Sequence, residues 1–327
     1  MSALGFQAPI APSGYRWWYV DALSDDGRYG LVTIFFAANP FSPLYLSRLR
    51  DGLSCVPEDY AAVNVVLYRG RRKLWTMTGF DRSKLLRASD GISVGPNQLQ
   101  WDGRTLTLSF ACRSPLIRSA LRGSLTLRAR AVHQAAHQLV GGVTPHHWRP
   151  IAPLSDVEII LSEPALRFSG RGYFDSNWGA SPLVDAFRRW HWQRSLVGDG
   201  AAIVYGGMAR DGSPFAVQRL LRVDGSDSPL VGLRAQPVGR TRWLLRRELY
   251  TAQTARVVRT LESAPFYART QAEIEVEGQR VETVSETMDL DRLRRRWIQA
   301  AFYLRMRRAG LGRSADHDRL LLTAGRD

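Results

Sequence analysis

Short segments of alternating or β-branched residues, separated by turn signals, recur along most of the chain and constrain its fold more than any other feature. Residues 17–23 and 30–38 form one such pair, joined by the Asp-Asp-Gly turn at residues 25–27. Residues 99–108 contain a second pair around Asp-Gly, and residues 121–130 alternate cleanly. Short strands at near-regular spacing, joined by tight turns, are typical of antiparallel sandwiches or barrels. The sequence therefore predicts an all-β chain of one of these two architectures.

The second half of the chain continues this style without repeating any sequence. Its predicted strands lie at residues 185–193, 201–208, 214–223, 241–250, 256–263, 271–277 and 279–286. A boundary near residue 165 divides the 327 residues into two units of ordinary domain size. We therefore predict an N-terminal domain at residues 1–165, a C-terminal domain at residues 166–308 and a flexible tail at residues 309–327.

Residues 290–308 differ from the rest because their apolar side chains recur with helical spacing. The members of this stripe are Leu290, Leu293, Trp297, Ala301 and Leu304. The opposite face is dense in arginine, which predicts a basic amphipathic helix at the end of the C-terminal domain. Such a helix can pack its stripe on the β-core or lie in a membrane interface, and the two roles are compatible.

The chain is strongly basic, with 45 Lys and Arg against 30 Asp and Glu and a net charge of +15. This charge suits nucleic acid, an anionic membrane surface or an acidic partner. The sequence contains no zinc-finger spacing and no aromatic RNA-binding motif, so we expect no nucleic-acid partner. It also lacks a run of about 18 apolar residues, so any membrane contact is expected to be peripheral.

Cysteine usage and the N-terminus both indicate a cytoplasmic protein. Cys55 and Cys112 form no CxxC pair and give no disulfide framework, which fits a reducing compartment. Residues 1–14 lack the basic start and the apolar run of a secretory signal.

The sequence contains no motif for a metal, a nucleotide or an activated nucleophile. His133 and His137 have a helical metal-binding spacing, but no HExxH pattern joins them. No P-loop, dinucleotide fingerprint or GxSxG elbow occurs. We therefore expect neither a metal site nor a cofactor.

Residues 170–179, Gly-Arg-Gly-Tyr-Phe-Asp-Ser-Asn-Trp-Gly, place an acid, a phenol, an amide and an indole between glycines. Tyr173 and Asp175 are two apart, so on a strand both side chains point to the same face. An acid beside aromatic rings suits the protonation of an alkene and the sheltering of the carbocation that results. On spacing alone, the alternative is that Tyr173 and Asp175 have no catalytic role and only form the hydrogen bonds of a turn in a β-protein.

Several blocks of sequence, in fixed order, resemble those of one known family. They are GYRWWYVDALSDDG at residues 14–27, FSP at 41–43, NVVLY at 64–68, WTMT at 75–78, LQWDG at 99–103, HWRPIAP at 147–153, GYFD at 172–175, FRRW at 187–190 and RTLE at 259–262. Together they resemble carotenoid 1,2-hydratase, the hydroxyneurosporene synthase family of phototrophic bacteria. Blocks in fixed order are more specific than any single motif, and they favour Asp175 as a functional acid.

The resemblance implies two lipocalin-like antiparallel β-barrel domains, as in the wider superfamily of lipocalin-like hydratases and pericyclases. It also implies cofactor-free addition of water to the terminal C1=C2 double bond of an acyclic carotenoid such as neurosporene or lycopene. The family's proton donor corresponds to Asp175, beside Tyr173. Its His-x-Trp element corresponds to His146 and Trp148.

The residue chemistry agrees with this mechanism. A solvated Asp has a pKa of about 3.9, so a neutral acid needs burial, and aromatic neighbours raise the pKa of Asp175 by desolvation. Asn177 or His146 can orient the protonated acid, and the carboxylate or the same histidine can accept a proton from the attacking water. The doubled histidine leaves open whether His146 or His147 faces the site, and His191 has no assigned role. The predicted substrate-binding residues are Trp178, Asn177, Trp190 and Trp192.

Three functions are compatible with the sequence. The first is a carotenoid hydratase, and the second is another proton-initiated isoprenoid enzyme, such as a cyclase, that shares Asp175. The third is a non-enzymatic lipid carrier whose binding would survive the change Asp175→Asn. For the first, we expect as partners an acyclic carotenoid, water and, through the arginine-rich face, the anionic surface of the inner (intracytoplasmic) membrane.

Overall fold

The structure is a computed structural model that describes residues 4–70, 72–114, 119–139 and 145–309. Extended segments dominate it, as the alternation of the sequence predicts. The described strands before residue 180 are β1 (Tyr15–Ser24), β2 (Tyr29–Ala38), β3 (Ala61–Arg69), β4 (Arg72–Phe80), β5 (Leu85–Arg87), β6 (Gly91–Val94), β7 (Asn97–Trp101), β8 (Thr105–Arg113), β9 (Ala120–Ala129), β10 (His137–Gln138), β11 (His146–Glu163) and β12 (Ala165–Gly179).

The remaining described strands continue in the same short, antiparallel style. They are β13 (Phe187–Val197), β14 (Gly200–Ala209), β15 (Pro214–Arg222), β16 (Asp227–Pro229), β17 (Arg234–Arg240), β18 (Arg246–Thr251), β19 (Ala255–Ser263), β20 (Tyr267–Val276), β21 (Gln279–Asp289) and β22 (Arg307–Arg308). The helices are α1 (Pro43–Arg50), α2 (Leu183–Ala186), α3 (Leu290–Leu293) and α4 (Arg296–Arg305), with 3-10 turns at Pro57–Tyr60 and Arg82–Lys84.

Two sheets and a ribbon make up the fold. The first sheet has the order β22-β4-β3-β2-β1-β12-β11-β9-β8-β7-β6-β5, with β10 paired to β11, and it curls into a nearly closed barrel. The second sheet has the order β16-β15-β14-β13-β21-β20-β19, and β17 pairs with β18. The described pairs are antiparallel except for β22, which runs parallel to β4. The predicted antiparallel all-β barrel class is confirmed.

Strand alternation decides which side chains of β1 reach the space between the sheets. Trp18 and Val20 are fully buried inside the barrel, whereas Trp17 and Tyr19 pack toward the second sheet. Full burial of a side chain such as Val20 stabilises a fold by roughly 1.5–3 kcal/mol. A slip of one residue would turn every inward side chain outward, so this burial fixes the register.

The neighbouring strand, β12, follows the same rule. Its Phe174 is fully buried in the barrel core. Tyr173, Asp175 and Asn177 therefore share the opposite face, which looks toward the second sheet. The polar segment that the sequence analysis singled out thus lies in the middle of a strand and not in a turn.

The predicted domain boundary at residue 165 falls at the turn between β11 and β12, which pair with each other inside the first sheet. The second sheet begins only with β13. The change of sheet therefore comes after Gly179, and the division into two domains stays a prediction. Residues 310–327 of the predicted tail lie outside the described residues.

Of the predicted helical segment at residues 290–308, residues 290–305 form two helices, α3 and α4, because the backbone is extended at Arg295 between them. The prediction is wrong at its end, where Arg307–Arg308 form strand β22 beside β4. The division rotates the apolar stripe. Leu290 stays in the core, whereas Trp297 and Leu304 are 45% and 58% exposed. Within the described part of the chain, no helix has the length and apolar character needed to cross a bilayer.

Candidate active site

Three neighbouring strands of the first sheet carry the polar side chains of the candidate site. Asp175 of β12 lies opposite Tyr19 of β1, and Asn177 lies opposite Trp148 of β11. Because side chains two apart on a strand share a face, this register gathers all four groups on the side toward the second sheet.

Asp175 is almost completely buried, with 2% of its surface exposed, and three donors surround its carboxyl group. The Tyr173 hydroxyl donates to Oδ2 over 2.6 Å, and the Trp148 indole N–H donates to the same oxygen over 3.0 Å. The Asn177 amide donates to Oδ1 over 2.8 Å. These donors fix the orientation of the carboxyl group, and they can stabilise the carboxylate that remains after it has given up a proton.

Burial raises the pKa of Asp175 to about 8, although the hydrogen bonds from Tyr173, Trp148 and Asn177 oppose this rise. The negative charge of Glu286 raises the pKa further. A carboxyl group with this pKa is mostly protonated at neutral pH, so it can act as an acid where a solvated Asp cannot.

His146 is hydrogen-bonded to Asn177 on one side of its ring and to Tyr15 on the other. Its Nε2 lies 3.0 Å from Asn177 Oδ1, and its Nδ1 lies 2.7 Å from the Tyr15 hydroxyl oxygen. Since Asn177 donates its amide to Asp175, its Oδ1 accepts from His146, which puts the imidazole proton on Nε2. Burial lowers the pKa of His146 to about 3, so the ring is neutral and acts as a fixed link between Tyr15 and Asn177.

The doubled histidine is resolved by the alternation of β11. His146 is fully buried, whereas the next residue, His147, lies on the outer face and stacks on Trp178 at 5.2 Å between ring centroids. Arg16 covers the other side of Trp178 at 4.9 Å. Trp178 therefore lies away from Asp175, on the far face of β12.

A cavity of about 280 Å³ lies between the two sheets, with Asp175 and Asn177 in its wall. Trp148 and Tyr173, which hydrogen-bond to Asp175 and to each other, are fully buried and do not line the cavity. The apolar wall residues include Trp17, Ile34, Phe36, Val66, Trp75, Met77, Trp190, Trp192, Tyr205, Phe266, Met288 and Phe302. The acid therefore faces a space lined mainly by aromatic and aliphatic side chains.

The structure brings most of the predicted site residues together. Trp190, Trp192 and Asn177 line the cavity with Asp175. Trp178, predicted to bind substrate, does not line it. His191 lies on the opposite face of β13, where its Nδ1 is 3.0 Å from the hydroxyl oxygen of Thr287. The catalytic and binding roles of all these residues stay predictions.

The exposed residues of the cavity wall belong to the loop at residues 241–245 and to helix α4, so we place the mouth of the cavity between these two elements. Trp243, Trp297 and Arg305 belong to its wall. Trp243 and Leu244 are 48% and 61% exposed, so large apolar side chains are exposed to solvent at the mouth of the cavity.

A buried ionic cluster, which the sequence analysis missed, joins the two sheets beside the cavity. Arg269 of β20 donates to Asp21 of β1 over 2.6 Å and to the Tyr19 hydroxyl over 2.8 Å, and it also binds Glu286 of β21. Arg194 of β13 lies 3.6 Å from Asp21. The cluster thus contains two arginines and two carboxyl groups.

A partial signal for this cluster exists in the sequence. Tyr19 and Asp21 alternate on β1 within the block at residues 14–27, so their common face can be read directly. Arg269 and Glu286 lie about 250 residues further along the chain, and a single sequence gives no cue for such a long-range contact.

Comparison with known proteins identifies the family of this chain. The family model described as carotenoid hydratase CrtC matches residues 33–314. The chain is similar to the acyclic carotenoid 1,2-hydratase of Thiocapsa roseopersicina, with 38% identity over 93% of this chain and 76% of that protein. The enzyme of the same name from Rubrivivax gelatinosus is also 38% identical, over 88% of this chain and 72% of that protein.

Solved structures show the same fold at much lower identity. A putative AttH from Nitrosomonas europaea superposes with a TM-score of 0.58 and 14% identity, over 84% of this chain and 92% of that one. Kievitone hydratase from Nectria haematococca superposes with a TM-score of 0.53 and 11% identity, over 85% of this chain and 90% of that one. These likenesses concern the fold alone. Because the family model matches most of the chain, and because relatives that are 38% identical cover nearly all of it, this chain belongs to the carotenoid hydratase CrtC family.

Proposed function

We propose that this carotenoid hydratase, a hydro-lyase, adds water to the terminal C1=C2 double bond of an acyclic carotenoid such as neurosporene or lycopene. The observation that carries the proposal is the carboxyl group of Asp175, which is buried, has a raised pKa and faces an aromatic-lined cavity. Protonation of an isolated alkene requires a neutral acid in a dry site, and Asp175 meets both conditions.

The proposed reaction has two bond-forming steps. Asp175 gives its proton to C2, the π electrons form the new C–H bond, and a tertiary cation is left at C1. The three donors around Asp175 stabilise the carboxylate that remains. A water oxygen then bonds to C1 and loses one proton, which gives the 1-hydroxy carotenoid. The reaction calls for no redox cofactor, because no electrons are gained or lost overall.

Aromatic faces around the cavity shelter the cation. Trp192 lies 5.2 Å from Tyr173 between ring centroids, and Trp190 lies 6.2 Å from Tyr205. Each aromatic face stabilises a cation by roughly 0.5–2 kcal/mol, with the upper values in dry sites. In this proposal, one end of a long apolar chain reaches Asp175 in the cavity wall, and the rest of the chain leaves through the mouth.

Product analysis tests the function. The protein is incubated with lycopene in lipid vesicles, and we expect a carotenoid heavier by one water. A product of unchanged mass and new retention time would indicate a cyclase, and binding without any product would indicate a lipid carrier.

We further propose that the mouth of the cavity docks on the cytoplasmic side of the inner membrane, where the substrate is dissolved. Exposed Trp243, Leu244, Trp297 and Leu304 surround the entrance or lie next to it on the same elements. Tryptophan prefers the membrane interface, and basic residues near anionic lipid contribute about 1 kcal/mol each. Exposed arginines of the same elements are Arg242, Arg295 and Arg305.

We expect the double change Trp243→Ser with Trp297→Ser to lower binding to anionic vesicles several-fold, because two interfacial anchors are lost. Vesicle sedimentation at low and at high salt measures the effect, and salt should weaken the binding of the unchanged protein as well. Val231→Ser is the matched control, since Val231 is 83% exposed but does not line the cavity. Equal sedimentation with neutral and anionic vesicles would contradict the proposed docking.

A further inference from the structure

A second carboxyl group, that of Glu286, faces the same cavity as Asp175 but comes from the opposite sheet. Glu286 lies on β21 directly across from Trp192 of β13, and both line the cavity. The side chain keeps 14% of its surface accessible, whereas its partner Arg269 keeps 3%. Glu286 is therefore the part of the ionic cluster that the cavity reaches.

The surroundings of the two carboxyl groups differ in charge. The Tyr19 hydroxyl donates to Glu286 Oε1 over 2.8 Å, and the Arg269 guanidinium binds the same oxygen. Burial raises the pKa of Glu286, and the positive charge of Arg269 opposes this rise. Among the residues that the structure describes, the donors to Asp175 are the neutral groups of Tyr173, Trp148 and Asn177. Such a difference favours a neutral acid at Asp175 and a carboxylate at Glu286.

The hydration needs a group that receives the proton of the attacking water, and His146 does not fit. Its Nδ1 already accepts from Tyr15 and its Nε2 faces Asn177. It does not line the cavity, and burial lowers its pKa to about 3. Asp175 itself can take the proton only from water that approaches on its own side of the substrate.

Glu286 has room for a water molecule. A carboxylate offers about four acceptor positions. In the described part of the chain, donors come from Tyr19, Arg269 and Tyr267, which leaves about one acceptor position of a carboxyl group that lines the cavity. Water held there stands across the cavity from the acid.

We propose that Glu286 is the general base of the hydration, a role that rests on the proposed function. A lone pair of the bound water forms the O–C1 bond while one of its protons passes to the Glu286 carboxylate. The protonated Glu286 then gives this proton to solvent water, and Asp175 regains one from the same source. Protons and electrons balance over the cycle, and acid and base act from opposite sheets.

The change Glu286→Gln tests this role in heavy water, with lycopene in lipid vesicles as substrate. Glutamine keeps the size of the side chain and loses its basicity. We expect hydration to slow by about 10²-fold or more, as for other general bases. Deuteron transfer from Asp175 to C2 continues, and the cation that is not trapped by water gives a hydrogen back to the Asp175 carboxylate. This hydrogen comes from C2 or from a methyl group on C1, so in a share of the turnovers it is a protium and the added deuterium stays. The recovered carotene therefore gains deuterium at its terminal unit.

Two further variants serve as comparisons for Glu286→Gln. Asp175→Asn should lose both hydration and deuterium exchange, which separates the acid from the base. Glu282→Gln is the matched control, because Glu282 is on the same strand but is exposed and outside this cavity, and it should behave as the unchanged protein. Failure of the unchanged protein to hydrate lycopene would overturn the proposed function itself.

Two outcomes would overturn the role of Glu286 alone. The first is hydration by Glu286→Gln within twofold of the unchanged protein. The second is a joint loss of hydration and exchange, as in Asp175→Asn, with a normal thermal melting curve. If Glu286→Gln does not fold, Glu286→Asp keeps the charge at a shorter reach. Slower hydration with measurable exchange supports the base role in that variant, and normal hydration refutes it.

Discussion

Asp175→Asn is expected to lower the rate of carotenoid hydration by roughly 10²–10⁴-fold, the range typical for removal of a general acid. Asparagine has the shape of aspartic acid but holds no proton that it can give to an alkene carbon. Its amide would also face the amide of Asn177, which now donates to Oδ1 of Asp175. Leaving one such donor unsatisfied costs about 1–3 kcal/mol, so the variant should still fold but melt earlier.

Product quantification by chromatography, together with circular dichroism, measures this effect. Asp156→Asn is a matched control on the neighbouring strand, because Asp156 is exposed and binds Arg130 and Arg171. The unchanged protein should also lose kcat/KM roughly tenfold per pH unit once the acid ionises, above the pKa of about 8 that burial gives Asp175. Near-normal turnover of Asp175→Asn, or a rate that is flat above this pH, would remove Asp175 from the acid role.

Arg269→Met is expected to lower the free energy of unfolding by about 3–5 kcal/mol, because it leaves buried carboxyl groups without their cation. Arg269 is 3% exposed and binds Asp21 and Glu286 at once. In the variant, Asp21 would keep Arg194 as a cationic partner at 3.6 Å. For Glu286, the donors left in the described part of the chain are the hydroxyl groups of Tyr19 and Tyr267. Because these residues belong to both sheets, the loss should weaken the contact between the sheets.

Urea unfolding followed by tryptophan fluorescence measures the change. Arg256→Met on β19 is the control, since Arg256 binds Glu273 at the surface with 69% of its side chain exposed. An exposed pair of this kind contributes about 0–1 kcal/mol. A similar, small loss in both variants would show that the buried cluster does not hold the sheets together.

The fold class was predictable because alternation is a local property of the sequence. A spacing of two residues separates Tyr173, Asp175 and Asn177 from one another in turn. On a strand, this spacing alone places the three side chains on one face. The same rule explains why Trp178, one residue further, points away from the cavity. The prediction of Trp178 as a substrate-binding residue did not take this alternation into account.

Other features depend on contacts that a single sequence does not reveal. Glu286 and Tyr19 form a hydrogen bond although they are 267 positions apart in the chain, and the sequence around either residue does not predict this contact. The sheet change after Gly179 is also a property of pairing, since β12 bonds to β1 rather than to later strands. The interruption at Arg295 is a change of backbone conformation to extended, which the helical periodicity of the side chains does not encode.

The packing behind Asp175 has a consequence for which double bond the proposed acid would meet. Trp148 and Tyr173 are fully buried, hydrogen-bond to each other and do not line the cavity. On the proposed function, a carotenoid that enters with one tip foremost would bring its isolated terminal double bond to Asp175, while the conjugated interior bonds would stay further out. A symmetric carotene would then have to withdraw, reverse its direction and enter again to receive a second hydroxyl group.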